Sequence, residues 1–200
     1  MLVIGLTGPT GAGKGVVSHV FEAHGIPVID ADRVYHELLI PPSECLSELT
    51  YTFGREILCE DGTLDRRALG AIVFSDANAL ARLNEIAHRH VMQVIRARLD
   101  GMRKSETRAV VLDAPQLFEA GADKDCNVIV SVLADRAVRM ERIMQRDGID
   151  RDTASRRIAA QKSDDFFRAH SNYVIENNGS DGQILPTVQK ILSETGVLAQ

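Results

Sequence analysis

The chain has 200 residues, 44% of them apolar, enough for one compact core with a subsidiary lobe, since a chain of this length buries roughly 70% of its unfolded surface. Lys and Arg total 23 against 28 Asp and Glu, a net charge of -5 with no basic tail or stripe, which argues against a nucleic-acid partner. The three cysteines, Cys45, Cys59 and Cys126, lack C-x-x-C spacing and leave an odd count, so neither a zinc site nor a disulfide framework is expected and a reducing, cytoplasmic setting fits.

Leu2 to Leu6 is a short apolar run that reads as a buried strand; no positive region precedes it and glycines interrupt it, unlike a secretory signal. No segment approaches the roughly 20 apolar residues of a membrane span. The run gives way to GPTGAGKG and then to a helical pattern at Val16, Val17, Val20 and Phe21. Gly8, four residues, Gly13 and Lys14 start the phosphate-cradling pattern G-x-x-x-x-G-K-[ST] in its required strand-loop-helix context. The glycines let successive N–H groups point inward at phosphate oxygens, the helix adds the positive end of its dipole, and Lys14 supplies a point charge for the β/γ-phosphates. The residue after Lys14 should carry a hydroxyl and is Gly15; Ser18 lies nearly a full helical turn farther from the phosphates and is not expected to take its place, which falls instead to a water.

Ile26 to Ile29 is a second buried strand that runs into Asp30-Ala31-Asp32. In an open parallel sheet ligands bind outside the carboxyl ends of the strands, and strand alternation puts both aspartates on one face. A carboxylate there serves as a base or as a water-mediated Mg²⁺ ligand; equally, Asp32 serves as a helix N-cap. From Arg33 to Arg108 the pattern is helical, for example Leu80, Leu83, Ile86, Ala87, His90, Val91 and Val94, far more than one crossover helix. Within it His88 and His90 sit two apart, pointing in nearly opposite directions on a helix, so one packs and the other is exposed.

Ala109 to Leu112 is a third strand, and Asp113 after it is either the Mg²⁺-proximal carboxylate of phosphate-loop enzymes or a turn residue before Ala-Pro. Asn127 to Leu133 is a fourth strand and Val174-Ile175 a fifth. Between them, residues 137–170 are dense in arginine, with a turn at Asp147-Gly148; Arg142 and Arg146, four apart, share a helix face and suit a common phosphate, unless the nearby acidic residues pair with them at the surface. Unalternating strands separated by helices predict an α/β fold: a parallel sheet of about five strands with helices on both faces, of the phosphate-loop NTPase type. The core is expected over about 1–32, 109–136 and 171–200, a helical acceptor-binding insertion over about 33–108 and a lid over about 137–170.

The order GLTGPTGAGKG, VIDADRV, DGTLDRRALGAIVF, DAPQLFE, ERIMQRDG, AAQ and VIENNG resembles the dephospho-CoA kinase family over roughly Leu2 to Asn178. Shikimate, gluconate and adenylate kinases share only the first loop, the general core and lid arginines. The resemblance implies transfer of the γ-phosphoryl of ATP, with Mg²⁺, to the ribose 3′-hydroxyl of dephospho-CoA. It implies Asp32 as general base, Lys14 and Arg142 in the reaction, and Gly11, Ala12, Gly13, Lys14, Gly15, Val16, Arg146 and Asn177 around ATP, with Asn177 beside the adenine. On the acceptor side it implies Asp32, His88, Leu117, Phe118 and Glu119; Glu119 alone reads equally as a solvated charge. The family's His-Pro appears here as His88-Arg89, and Gly15 departs from the family in a way that concerns metal coordination rather than the phosphate cradle. Two other readings compete: a small-molecule kinase with another acceptor, and a regulatory protein that binds ATP without turnover.

Overall fold

A computed structural model describes residues 1–179 and 183–197. The chain divides into two compact units, one formed by Met1–Ile29 with Arg103–Gln200 and one by Asp30–Met102.

The first unit is built on a five-stranded sheet of order β2-β3-β1-β4-β5. Its strands are β1 (Leu2–Thr7), β2 (Val28–Asp30), β3 (Ala109–Asp113), β4 (Val128–Leu133) and β5 (Tyr173–Glu176). β1 pairs in parallel with β3 and β4, and β4 in parallel with β5. The cause is compositional: β3 is buried at every position and β1 at all but its first, so neither face can alternate with polar residues. Helix α1 (Lys14–Ala23) follows β1 and buries Val17 and Phe21, while α9 (Ile184–Glu194) buries Ile184, Val188, Ile191 and Leu192 at helical spacing. These residues join Ile4, Leu6, Val111, Val130 and Val132 in one core. Between β4 and β5 run α6 (Arg136–Asp147), α7 (Arg151–Ala159) and α8 (Asp164–His170), with Gly148 in the left-handed conformation that stops α6.

The second unit is helical: α2 (Ala31–Leu38), α3 (Glu44–Phe53), α4 (Arg66–Val73) and α5 (Ala77–Lys104), which reaches past the unit's last residue. Its helices start where side chains supply caps. The carboxylate of Asp30 accepts from the Arg33 amide, the Ser43 hydroxyl from Leu46, and Asp65 from Arg67 and Ala68. Leu39, Cys45, Leu49, Ile57, Leu69, Val73 and Ile86 form its own core. His88 and His90 do not divide into one packed and one exposed ring: both are half-buried, and His90 pairs with Glu48 at 2.8 Å. Hydrogen bonds from Arg89 and His90 hold the Glu48 carboxyl below its ordinary pKa. Among the described residues no helix is long and apolar enough to cross a membrane.

The cysteines are all free, and their environments differ. Burial pushes Cys45 up to about 11 and Cys126 up to about 12, and the Cys126 thiol donates to the Ala122 carbonyl at 3.3 Å. Cys59 is exposed. Because the thiolate is the reacting species, iodoacetamide at mildly alkaline pH is expected to alkylate Cys59 alone in the native protein and all three residues in denaturant. Peptide mass spectrometry reads this directly, and native labelling of Cys126 at the rate of Cys59 would contradict its packing.

Candidate active site

The loop from Gly8 to Gly13 carries the chain from β1 into α1 at the carboxyl edge of the sheet. Gly13 has φ 90°, and a Cβ there would collide with the Asn177 amide nitrogen, so only glycine fits. Helix α1 begins without a side-chain cap, which leaves its N-terminal dipole and first-turn amides to an anion. Two of the amides in the expected cradle are engaged within the loop itself: Ala12 donates to the Pro9 carbonyl at 3.2 Å and Val16 to the Gly13 carbonyl at 3.1 Å. The Val16 side chain is exposed and that of Ala12 buried.

The carbonyls on the other side of the loop are held individually. Arg139 Nε donates to Thr10 O at 3.0 Å, Arg142 Nη1 to Gly11 O and Ala12 O at 3.3 Å each, and Asn177 Nδ2 to Ala12 O at 2.9 Å. Gln161 Oε1 accepts from the Thr10 amide at 3.0 Å and from Arg139. Arg142 also donates to the Asn177 carbonyl at 3.0 Å. Arg139 is 3% exposed and pairs with Asp164 at 3.0 Å; burial draws its pKa down, and Asp164 opposes that shift. Arg139 and Arg142 are three apart on α6 and reach the same loop, which is what i, i+3 spacing on a helix provides. Arg146 does not join them: it pairs with Asp147 at 2.7 Å and is largely exposed. Asn177, 3% exposed just beyond β5, is a buttress of the loop backbone, and its amide is spent on Ala12 and Arg142.

Asp113 closes β3 and is 8% exposed. One carboxylate oxygen accepts from Lys14 Nζ and the other from Ser18 Oγ at 2.5 Å. Lys14 and Ser18 are one helical turn apart, so both face β3. The position of a Gly15 Cβ is open space. Among the described residues no three His, Cys, Asp or Glu side chains gather as a metal cage. One carboxylate beside a phosphate loop nevertheless fits Mg²⁺, which keeps several waters and takes substrate phosphates as ligands.

Other expected residues fall elsewhere. β2 ends at Asp30, which is the N-cap, and Asp32 lies in the first turn of α2, so strand alternation does not place the two on one face and Asp32 is not the cap. Leu117 is fully buried and sits against Gly5, inside the core rather than at an acceptor's edge. Phe118 is half-buried in a ring cluster, 5.1 Å from Phe166 in a T-shaped contact and 5.8 Å from His170. Glu119 pairs with Lys162 at 3.7 Å. His88 lies on α5 in the second unit. Three residues at the loop lie outside the expected set: Gln161; Arg139, one of the many arginines of 137–170, for which the i, i+3 spacing to Arg142 is the available signal; and Ser18, set aside by its distance from the phosphates yet bonded to Asp113.

The loop predicts a contrast between two glycines. Gly15→Ala meets no neighbour and replaces a helical glycine, so it is expected to raise stability by about 0.5–1 kcal/mol. Gly13→Ala meets Asn177 at positive φ and is expected to lower both the melting temperature and the affinity for an ATP analogue. Thermal melts and calorimetric titration check both, and equal effects at the two positions would contradict the geometry.

The dephospho-CoA kinase family model matches residues 2–183. A dephospho-CoA kinase from Geobacter metallireducens is 41% identical over 180 residues, 90% of each chain, and one from Syntrophotalea carbinolica is 39% identical over 90% of this chain and 85% of that one. The crystal structure of a Thermus thermophilus protein superposes with a TM-score of 0.82 at 30% identity, covering 96% of this chain and 97% of that one. A shikimate kinase from Bacteroides thetaiotaomicron, at 16% identity and a TM-score of 0.54 over 98% of both chains, shares the fold. With a family model matched over nearly its whole length and relatives near 40% identity, the chain belongs to the dephospho-CoA kinase family.

Proposed function

We propose that the chain transfers the γ-phosphoryl group of ATP to the ribose 3′-hydroxyl of dephospho-CoA, the last step of coenzyme A synthesis. The observation that carries the reading is the pairing of an uncapped, glycine-built helix start at Lys14 with the buried Asp113 carboxylate, in a chain that the family model matches from residue 2 to residue 183. Phosphoryl transfer asks for positioning, charge neutralisation and a group that orients the nucleophile, with little covalent work by the protein.

In this proposal the backbone of Gly11 to Gly15 and Lys14 hold the triphosphate, and Lys14 exchanges part of its Asp113 pairing for the β/γ-phosphates. Arg142 adds positive charge at the loop while fixing its carbonyls. Asp113 would hold Mg²⁺ through water, and Mg²⁺, when bound, neutralises charge on the phosphates. Asp32 accepts the proton of the attacking hydroxyl. The segment 137–170 serves as a lid, with Arg139 and Gln161 tying its helices to Thr10. Phe118 and Glu119, and His88 on α5, are the proposed contacts of the acceptor.

ATP consumption measured with dephospho-CoA, shikimate, gluconate and AMP offered separately tests the substrate. Turnover is expected with dephospho-CoA; turnover confined to another acceptor sinks the reading. Asp32→Asn is expected to lower kcat roughly 10²–10⁴-fold, the usual worth of general-base catalysis, with ATP affinity near that of the native chain. A near-native kcat in that variant removes Asp32 from the role.

A further inference from the structure

A complete phosphate loop places a Ser or Thr hydroxyl directly after its lysine, where it helps hold the metal of the metal-nucleotide complex together with the carboxylate at the end of a neighbouring strand. Here that position is Gly15, and the hydroxyl that touches the strand-end carboxylate belongs to Ser18. Ser18 is 7% exposed and Asp113 8%, so their 2.5 Å hydrogen bond is formed out of solvent. A hydrogen bond to an ionised group in such a place is among the strong ones. The two oxygens of Asp113 are thereby assigned different partners, one to Lys14 and one to Ser18.

The two partners are not equivalent. Lys14 carries a charge that a bound triphosphate competes for, whereas Ser18 is a neutral donor buried in the first turns of α1 with nothing to offer the phosphates directly. When Lys14 turns to the nucleotide, the Ser18 hydroxyl still fixes the rotation of the carboxylate.

We infer that Ser18 is the positioning residue for the divalent cation in this chain: it orients Asp113 toward the metal and thereby compensates for the hydroxyl absent at Gly15. The inference rests on the functional reading above. It differs from a simple substitution of one ligand by another, because Ser18 acts through Asp113 and never touches the metal. The space over Gly15 is open, with nothing within 4 Å of a Cβ, so a water or a restored hydroxyl has room there.

Positions 15 and 18 should therefore be energetically coupled, as residues that serve one carboxylate and one ion are. The test is calorimetric titration of a non-hydrolysable ATP analogue at a series of Mg²⁺ concentrations and in EDTA, with thermal melts as the folding control. Ser18→Ala is expected to raise the half-saturating Mg²⁺ concentration by about 10-fold, the lower end of what loss of an outer partner costs a metal site, and to leave the metal-free affinity unchanged. Ser18→Thr, which keeps the hydroxyl, should stay near the native value. In a Gly15→Ser background Ser18→Ala should cost about 2-fold or less, the signature of coupling rather than additivity.

Four results would overturn the inference: an unchanged Mg²⁺ dependence in Ser18→Ala; equal losses with and without metal, which mark a purely structural role; no relief from Gly15→Ser; or a native chain whose analogue binding ignores Mg²⁺. The functional reading fails separately, through absent turnover of dephospho-CoA by the native chain. Native turnover with a silent Ser18→Ala therefore removes this inference and leaves that reading standing.

Discussion

The site depends on how the carbonyl groups of Thr10, Gly11 and Ala12 are held. In a trans peptide the N–H and C=O point in opposite directions, so anchoring a carbonyl on one side of the loop aims the adjoining amide at the other. Arg139, Arg142 and Asn177 supply that anchoring from outside the loop. Their own burial is the cost. A charge taken out of water is tolerated only when it is paired and hydrogen-bonded, and Arg139 meets the condition through Thr10, Asp164 and Gln161 together. Stability is traded there for a loop whose carbonyls are fixed before an anion arrives, although the Ala12 amide itself turns back to the Pro9 carbonyl; a framework fixed in advance is what makes electrostatic stabilisation effective.

The sheet brings these anchors within reach. β1 occupies the centre of the five strands, flanked by β3 and β4, so the loop that leaves β1 has Asp113 at the end of one neighbour. β5, next to β4, delivers Asn177 just past its own end. Parallel pairing puts these strand ends on the same edge. An antiparallel insertion anywhere in this set would send one of those residues to the opposite side. The unalternating apolar strands that make the sheet parallel are therefore also what collects the polar groups of the site.

Much of this was legible in the sequence where the signal was local. Glycine spacing, Lys14 and the preceding apolar run specify the loop because each requirement concerns backbone within a few residues. The same holds for Asp113 after four apolar residues. Side-chain direction was not legible: Leu117, Phe118 and Glu119 are consecutive, yet the first is in the core, the second in a ring cluster and the third in a surface pair. Nothing in their order says which way the turn after β3 faces. Asp30 and Asp32 show the same limit at an element boundary, where one residue's difference in the strand's end changed which aspartate capped α2. Arg142 and Arg146 share a face by spacing, but Asp147 lies beside Arg146 and takes its guanidinium. Arg139 is one of many arginines in 137–170, and nothing local marks it as the buried one, because its partners, Gln161 and Asp164, lie far along the chain.

Gly15 marks where the two kinds of information meet. As a motif the loop is incomplete, and a comparison with the pattern alone counts one lost ligand. As a structure the carboxylate that such a ligand would accompany is still fixed at both oxygens, by a lysine one residue before the gap and a serine three residues after it. A cradle made mainly of backbone amides loses no phosphate contact when a side chain disappears. In the proposed function, the missing side chain would remove one oxygen near an ion that readily keeps its waters. The burden would then shift to whatever holds the carboxylate still, and in this fold the turn geometry of α1 stacks position 18 over position 14 against the end of β3, with both side chains on Asp113.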